Sequence, residues 1–334
     1  MWIDSQYYPD IFDRIVDYAD TPTLVALRGT CKTVRARIDP YNFKHPIVSL
    51  NGRGVTVHAR AGPPGILLPG SRQFCDDFGN VIADPASGEQ ALRILKHARV
   101  VDVYGHMCSR YRKWFDIHQP TVGVLRTFQA RAQLVGWDYG AHKLVVFRSL
   151  LEQRDIVRDW LLITPNPNLR TLVLNITYDP RLNPCFPPNS RYRTQYPLKS
   201  VLEIVIIIKQ TMAGGARLRS TGGTDRSLLL HSVIIFAAIH INATRKITIV
   251  GMELVDWRWF GATRPISPEN ILSNCRKMIQ RTADDNLPLP PPYGSPFNGP
   301  PFQAAQYDSL LKFMTLREYR RTVGPTEFGI NTRV

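Results

Sequence analysis

The sequence predicts an α/β protein, α+β in overall make-up. A three-helix segment opens the chain, and an irregular repeat-like α/β array with a largely parallel sheet follows. Three observations carry this prediction. Apolar residues recur at helical spacing through the first forty residues. From Gly88 onward, short β-rich runs alternate with helical segments, the pattern of parallel crossover units. Composition is that of a globular protein: 44% of the 334 residues are hydrophobic and 21% charged, which excludes wholesale disorder. A chain of this length supports about two domains and buries a core without disulfide or metal staples.

Residues 1–45 form the helical segment. Pro9 suits the first helical position, where its missing N–H is unneeded. Ile11, Phe12, Ile15, Val16 and Ala19 follow at helical spacing, with Asp10, Asp13, Arg14 and Asp17 between them. Thr21-Pro22 reads as an N-cap followed by a helix-opening proline. Leu24, Val25, Leu27 and Cys31 line the second helix, and Gly29 loosens its end. Lys32 to Ile38 reads as a third helix, stopped by Pro40. So small a unit buries little by itself and should lean on a neighbour or a partner.

Residues 46–87 read as a β-hairpin and an irregular connection. IVSLNGRGVTVH, residues 47–58, alternates apolar and polar around Asn51-Gly52 and Gly54, and residues 60–88 are rich in Gly, Pro, Asp and Ser. Residues 88–286 read as the array. Its expected strands are Val100–Gly105, Val124–Ala130, Lys143–Phe147, Leu169–Thr177, Leu198–Ile208 and Lys246–Met252. Its expected helices are Gly88–Ala98, Arg154–Ile163, Arg226–Ile241 and Pro268–Thr282, the last opened by Ser267-Pro268. Residues 179–197 are a proline-rich loop. Leu169, Leu172 and Leu174 give the loose L-x-x-L-x-L texture of leucine-rich repeats, with uneven spacing and no asparagine ladder. Such an array offers a long open surface suited to gripping a protein. Residues 287–304 are a proline-rich loop. Within 305–334, Tyr307 to Tyr319 carries Leu310, Leu311, Met314 and Leu316 and is expected to be one amphipathic helix capping the array.

The chemistry-bearing patterns are sparse. The formal charge is +15, but the basic residues come in twos and threes: Arg35 and Arg37; Arg110, Arg112 and Lys113; Lys209, Arg217 and Arg219; Arg317, Arg320 and Arg321. None makes the run of five to eight that marks a nucleic-acid tract. Five cysteines, odd in number and widely spaced, argue against a secreted disulfide framework and for a reducing compartment. MWIDSQYYPD lacks the basic and apolar regions of a signal peptide, and the apolar run Leu228 to Ala243, broken by His231, Ser232, His240 and Asn242, reads as a buried helix. There is no phosphate-binding G-x-x-x-x-G-K-[ST], no nucleophile elbow G-x-S-x-G and no H-E-x-x-H. His106, Cys108 and His118 match no common zinc spacing. Asp76-Asp77 and Asp284-Asp285 read as turn or surface acids, and Ala213 to Gly223 as a glycine-rich loop without the lysine of a phosphate cradle. The chain therefore reads as a non-enzyme without cofactor or metal. Pro290, Pro291 and Tyr293 belong to a P-P-x-Y sequence, the pattern of a WW-domain ligand, which docks as a pre-formed polyproline helix.

The most specific pattern is residues 8–39, YPDIFDRIVDYADTPTLVALRGTCKTVRARID, which resembles an F-box. Pro9 and Asp10 match that family's opening, with Tyr8 in the leucine place. Ile11, Phe12, Ile15, Val16 and Tyr18 match its first helix, Leu24, Leu27 and Arg28 its second, and Cys31, Lys32 and Arg35 its third. Val34 stands where tryptophan is usual; both departures stay apolar. The wider chain resembles fungal F-box proteins of mushroom-forming species, in which an irregular leucine-rich α/β region and a tail like FMTLREYRRTVGPTEFGINT, here residues 313–332, follow the F-box. The resemblance implies an intracellular protein of cytoplasm or nucleus that recruits a target for ubiquitin-dependent proteolysis. Its F-box would bind a Skp-type adaptor within a cullin-based ubiquitin ligase, through Tyr8, Pro9, Ile11, Phe12, Ile15, Val16, Leu24, Leu27 and Arg28. Pattern alone does not divide these between adaptor and array. Two other readings stand beside it: a basic nucleic-acid-binding protein or general interaction scaffold, motivated by the +15, and a hydrolase with an unrecognised motif.

Overall fold

The computed structural model describes residues 9–42, 45–51, 54–59, 95, 98–105, 122–128, 141–150, 168–178, 200–210, 228–241, 246–255, 264–285 and 304–332. They form a mixed α/β structure built on parallel strands, in two compact units: Met1–Phe128 with Tyr139–His142, and Gln129–Asp138 with Lys143–Val334. No helix among the described residues is long and apolar enough to cross a membrane.

The first unit opens with helices α1 (Pro9–Tyr18), α2 (Thr21–Arg28) and α3 (Lys32–Asn42). The cap of α2 is Asp20, one residue before the expected Thr21. Asp20 is extended, at φ −71° and ψ 164°, and its carboxylate accepts the Thr23 N–H at 3.0 Å. Hydrogen bonds from Thr23 hold the Asp20 carboxyl below its usual range. Pro40 does not stop α3, which runs on to Asn42. A proline in the last turn removes a single donor, and the helix needs few bonds beyond it.

Strands β1 (Pro46–Asn51) and β2 (Gly54–Ala59) pair antiparallel, with Asn51 opposite Gly54 across a two-residue turn. This is the expected hairpin. β3 (Val100–Gly105) lies parallel to β1, and β4 (Val124–Phe128) parallel to β3. Asp102 and Arg126 face each other across β3 and β4 at 1% exposure, their charges 3.3 Å apart, and His45 Nε2 lies 2.7 Å from Asp102 Oδ1. Charges so deep persist only when paired. This trio of side chains ties the chain leaving α3 to the sheet.

The second unit holds β5 (Lys143–Leu150), β6 (Thr171–Tyr178), β7 (Glu203–Gln210), β8 (Lys246–Val250) and β9 (Leu311–Met314), all parallel and in that order. β7 begins at Glu203 rather than the expected Leu198; Leu202 and Glu203 both donate their N–H groups to the Arg170 carbonyl. β8 stops at Val250 because Gly251 turns the chain at φ 79° into a short 3₁₀ turn, Met252–Leu254. Helix α4 (Leu228–Ile241) packs on α5 (Pro268–Asp285), whose N–H at Asn270 bonds Ser267 Oγ, as the Ser-Pro start implied.

The tail corrects the single helix expected over Tyr307 to Tyr319. It is α6 (Ala304–Leu310), then β9, then α7 (Leu316–Val323) and α8 (Pro325–Thr332). Leu311 and Met314 are buried against β8, so a free ladder outcompetes the helical spacing. A capping box restarts the helix: Glu318 donates its N–H to Thr315 Oγ1 at 3.2 Å, and the Glu318 carboxylate accepts the Thr315 N–H at 2.8 Å. The expected helices at Gly88–Ala98 and Arg154–Ile163 lie mostly or wholly outside the described residues, as do the connection after the hairpin and both proline-rich loops.

Two predictions follow from backbone and burial. A Cβ on Gly251 would sit 2.3 Å from the Ile208 carbonyl oxygen, whereas one on Gly324, also at positive φ, meets nothing within 4 Å. Gly251→Ala should therefore cost about 3 kcal/mol or more, and Gly324→Ala only the backbone strain of about 1–2 kcal/mol, in denaturant titrations. His240 is buried in α4, its Nδ1 2.9 Å from the Phe236 carbonyl oxygen, and burial pulls its imidazole down to about 4. Between about pH 6.5 and 4 the unfolded chain binds a proton that the native chain refuses, so stability falls with falling pH across that window, by up to about 3 kcal/mol. His240→Gln should remove that component, read as the difference between the two proteins' denaturation midpoints against pH.

Candidate functional site

Helix α1 carries two apolar stripes. Phe12, Val16 and Ala19 recur at i, i+4 and i+7 and turn inward. Phe12 and Val16 are buried with Leu24 of α2 and Ile38 of α3, and Ala19, Leu27 and Val34 pack around them. Ile11, Ile15 and Tyr18 recur at the same spacing on the neighbouring arc and are 49%, 37% and 90% exposed. Among the described residues they are three of the four exposed large hydrophobics; the fourth is Leu202.

Ion pairs lock the helices without using that outer stripe. Arg28 of α2 pairs with Asp39 of α3, through Nε to Oδ1. Arg37 of α3 reaches Asp13 of α1 at 3.3 Å, and its guanidinium lies over the Phe12 ring at 5.3 Å from the centroid. The trio therefore holds its geometry from inside and from its flanks.

The sequence-derived adaptor contacts divide accordingly. Ile11 and Ile15 are exposed and available. Phe12, Val16 and Leu24 are buried in the trio's own core. Leu27 is half-buried against that core, and Arg28 is engaged by Asp39. Pro9 opens α1, and Tyr8 lies outside the described residues. Tyr18, outside the sequence-derived set, is exposed and stands seven residues after Ile11 on the same stripe.

Other sequence candidates resolve differently. Asp284 accepts the Tyr307 hydroxyl at 2.8 Å and pins α5 to α6, a structural use. His106, Cys108, His118, Asp76, Asp77, the Ala213 to Gly223 loop and the WW-ligand residues Pro290, Pro291 and Tyr293 lie outside the described residues. No group of three or more metal-ligating side chains occurs among the described residues. Of the basic side chains, Arg28, Arg37, Arg126, Lys143, Lys246 and Arg276 each pair with a carboxylate. Of these six, Arg126 is fully buried and Lys246 is about half exposed.

Comparison with known proteins finds no matching family model, and no curated protein or solved structure matches the chain.

The two stripes make a direct prediction. Phe12→Ala should cost about 3–5 kcal/mol of the local unit's stability, because it empties the trio's centre. Ile11→Glu with Tyr18→Ala should change it by less than about 1 kcal/mol, as surface substitutions do. Thermal melts of the full chain followed by hydrogen exchange in residues 9–42 separate the two outcomes.

Proposed function

We propose that this protein is the substrate-recognition subunit of a cullin-based ubiquitin ligase. In this reading α1–α3 dock on a Skp-type adaptor, and the α/β array holds the protein to be ubiquitinated. The protein makes and breaks no bonds; it raises the concentration of a target beside an enzyme. The single observation that carries the reading is the outer stripe of α1: Ile11, Ile15 and Tyr18, uncovered on a helix whose other apolar stripe already fills the core. A contiguous apolar stripe left in water marks an interface with another polypeptide. The F-box-like residues at 8–39 name the partner's class, and helices at Pro9, Thr21 and Lys32 are the elements that resemblance requires. The repeat-like surface of the parallel array supports the second half of the reading, and an intracellular setting accords with the free thiols of Cys31 and Cys275.

The test is an affinity purification of the full chain from cells, with adaptor and cullin read together by mass spectrometry. Wild type should bring down both. Ile11→Glu combined with Ile15→Glu should reduce recovery at least about tenfold while leaving the melting temperature near wild type. Absence of adaptor from the wild-type eluate, or equal recovery with the double variant, refutes the assignment.

A further inference from the structure

The polar row that opens the strands of the second unit is also the floor of a cavity. Lys143, Thr171, Glu203 and Lys246 stand in register across β5 to β8, and Val173 and Val205 follow two residues on, on the same face. These side chains, with Met314, line a cavity of about 140 Å³ whose far wall includes Val323 of α7 and Glu327 of α8. That is close to the ~150 Å³ that holds a benzene ring, so it takes a ligand of about six non-hydrogen atoms. The Lys143 Nζ pairs with the Glu327 carboxylate, which places the amine in the gap between sheet and helix. Both side chains of that pair keep accessible surface, 13% for Lys143 and 41% for Glu327.

Two amines line this cavity, and their surroundings differ. Lys246 is 48% exposed and pairs with Glu203 at 2.6 Å. Lys143 is largely withdrawn from water. Burial costs its ammonium hydration and draws the amine down to about 8, against the pull of Glu203. About a tenth of it is then neutral at pH 7, against about one molecule in 2,500 for an ordinary lysine. A neutral amine beside a part-apolar cavity is a nucleophile for carbonyl carbon. The charges on the wall are matched, Lys143 with Glu327 and Lys246 with Glu203, so a neutral occupant fits better than an ion.

We propose that Lys143 captures a small aliphatic aldehyde in this cavity as a Schiff base, with Glu327 carrying the proton and the alkyl group lying against Val173, Val205, Met314 and Val323. Glu327 first takes a proton from the ammonium. The free amine then attacks the carbonyl carbon: the C–N bond forms, the C=O π pair moves to oxygen, and one amine proton passes to that oxygen. Glu327 returns its proton to the new hydroxyl, which leaves as water while the nitrogen lone pair closes the C=N bond. Ammonium and aldehyde thus become protonated imine and water, with nothing oxidised or reduced. The imine is still a cation opposite the Glu327 carboxylate, so the ion pair that holds α8 to β5 survives capture. This reversible capture is separate from the adaptor reading and survives its failure.

The experiment incubates the full chain with isobutyraldehyde, quenches with borohydride to fix any imine as a secondary amine, and maps the modified lysines by peptide mass spectrometry. Lys143 should be modified at least about tenfold faster than Lys246, with a rate that saturates in aldehyde. Its labelling should rise with pH and level off above about 8, where exposed lysines keep gaining to about 10. Lys143→Arg keeps a cation opposite Glu327 and should remove the fast label alone. Val323→Phe narrows the cavity and should slow the Lys143 label without slowing that of exposed lysines. Pyrene-1-carboxaldehyde, too large for the cavity, needs no variant: it should mark exposed lysines and spare Lys143. Labelling of Lys143 no faster than Lys246, a rate that fails to saturate, or equal marking by the pyrene aldehyde overturns the proposal.

Discussion

The register of the parallel ladder governs the second unit. Leu144, Leu172, Ile204, Ile247 and Leu311 stand opposite one another across five strands, and all five are buried. Two residues further on, Val146, Leu174, Ile206, Ile249 and Phe313 make a second row. Between them run Val145, Val173 and Val205 on the opposite face, and a polar row of Lys143, Thr171, Glu203 and Lys246 opens the strands. A slip of one residue in any strand would exchange these faces and send lysine and glutamate into the interior. Within that row Lys246 meets Glu203, and Lys143, drawn down to about 8 by burial against the pull of Glu203, meets Glu327.

The two faces of this sheet are held by different forces. On one, α5 packs with α4, and Arg276 of α5 lies over the Phe313 ring at 5.5 Å while pairing with Asp308. α4 is apolar nearly all round, as a helix buried on several sides must be. On the other face, α7 and α8 bury only Tyr319, Asn331 and Thr332. Their attachment is polar: Glu327 to Lys143, the Asn331 carbonyl to Asn175, and the Thr332 carbonyl to Lys209. Few buried apolar contacts mean low local stability, so these helices open before the rest of the unit unfolds.

How far the sequence reveals this can be judged from particular residues. The alternation of IVSLNGRGVTVH marked the hairpin, although Asn51 pairs with Gly54 as the last residue of β1 rather than sitting in the turn. The unbroken run Ile204 to Ile208 announced a strand buried on both faces. The tail misled because Leu310, Leu311 and Met314 satisfy helical spacing as well as a short strand's needs. Only the open side of β8, which no local window contains, decides between them. Thr315 and Glu318 did carry a legible signal, a capping box that restarts a helix mid-tail. On α1, Ile11 and Phe12 are adjacent, and both look equally fit for a core. Which one enters is fixed by how α2 and α3 cross it, a tertiary fact. The pairing of Tyr319 with Asn331, twelve residues apart on two helices, left no pattern in the sequence at all.

The division on α1 bears on function because it separates what folding needs from what it does not. The trio's interior is complete with Phe12, Val16, Leu24 and Ile38. Its helices are cross-tied by Arg28 to Asp39 and Arg37 to Asp13. Neither set draws on Ile11, Ile15 or Tyr18. A helix shaped by solubility alone would place charge at those positions, as it does at Asp10, Asp13, Arg14 and Asp17 beside them. Ile11 and Ile15 instead leave 49% and 37% of their surface in water. Spacing at i, i+4 and i+7 turns three scattered side chains into one ridge, and a ridge is what the groove of a partner receives. On this one helix, then, one apolar stripe fills the core and the other stays exposed.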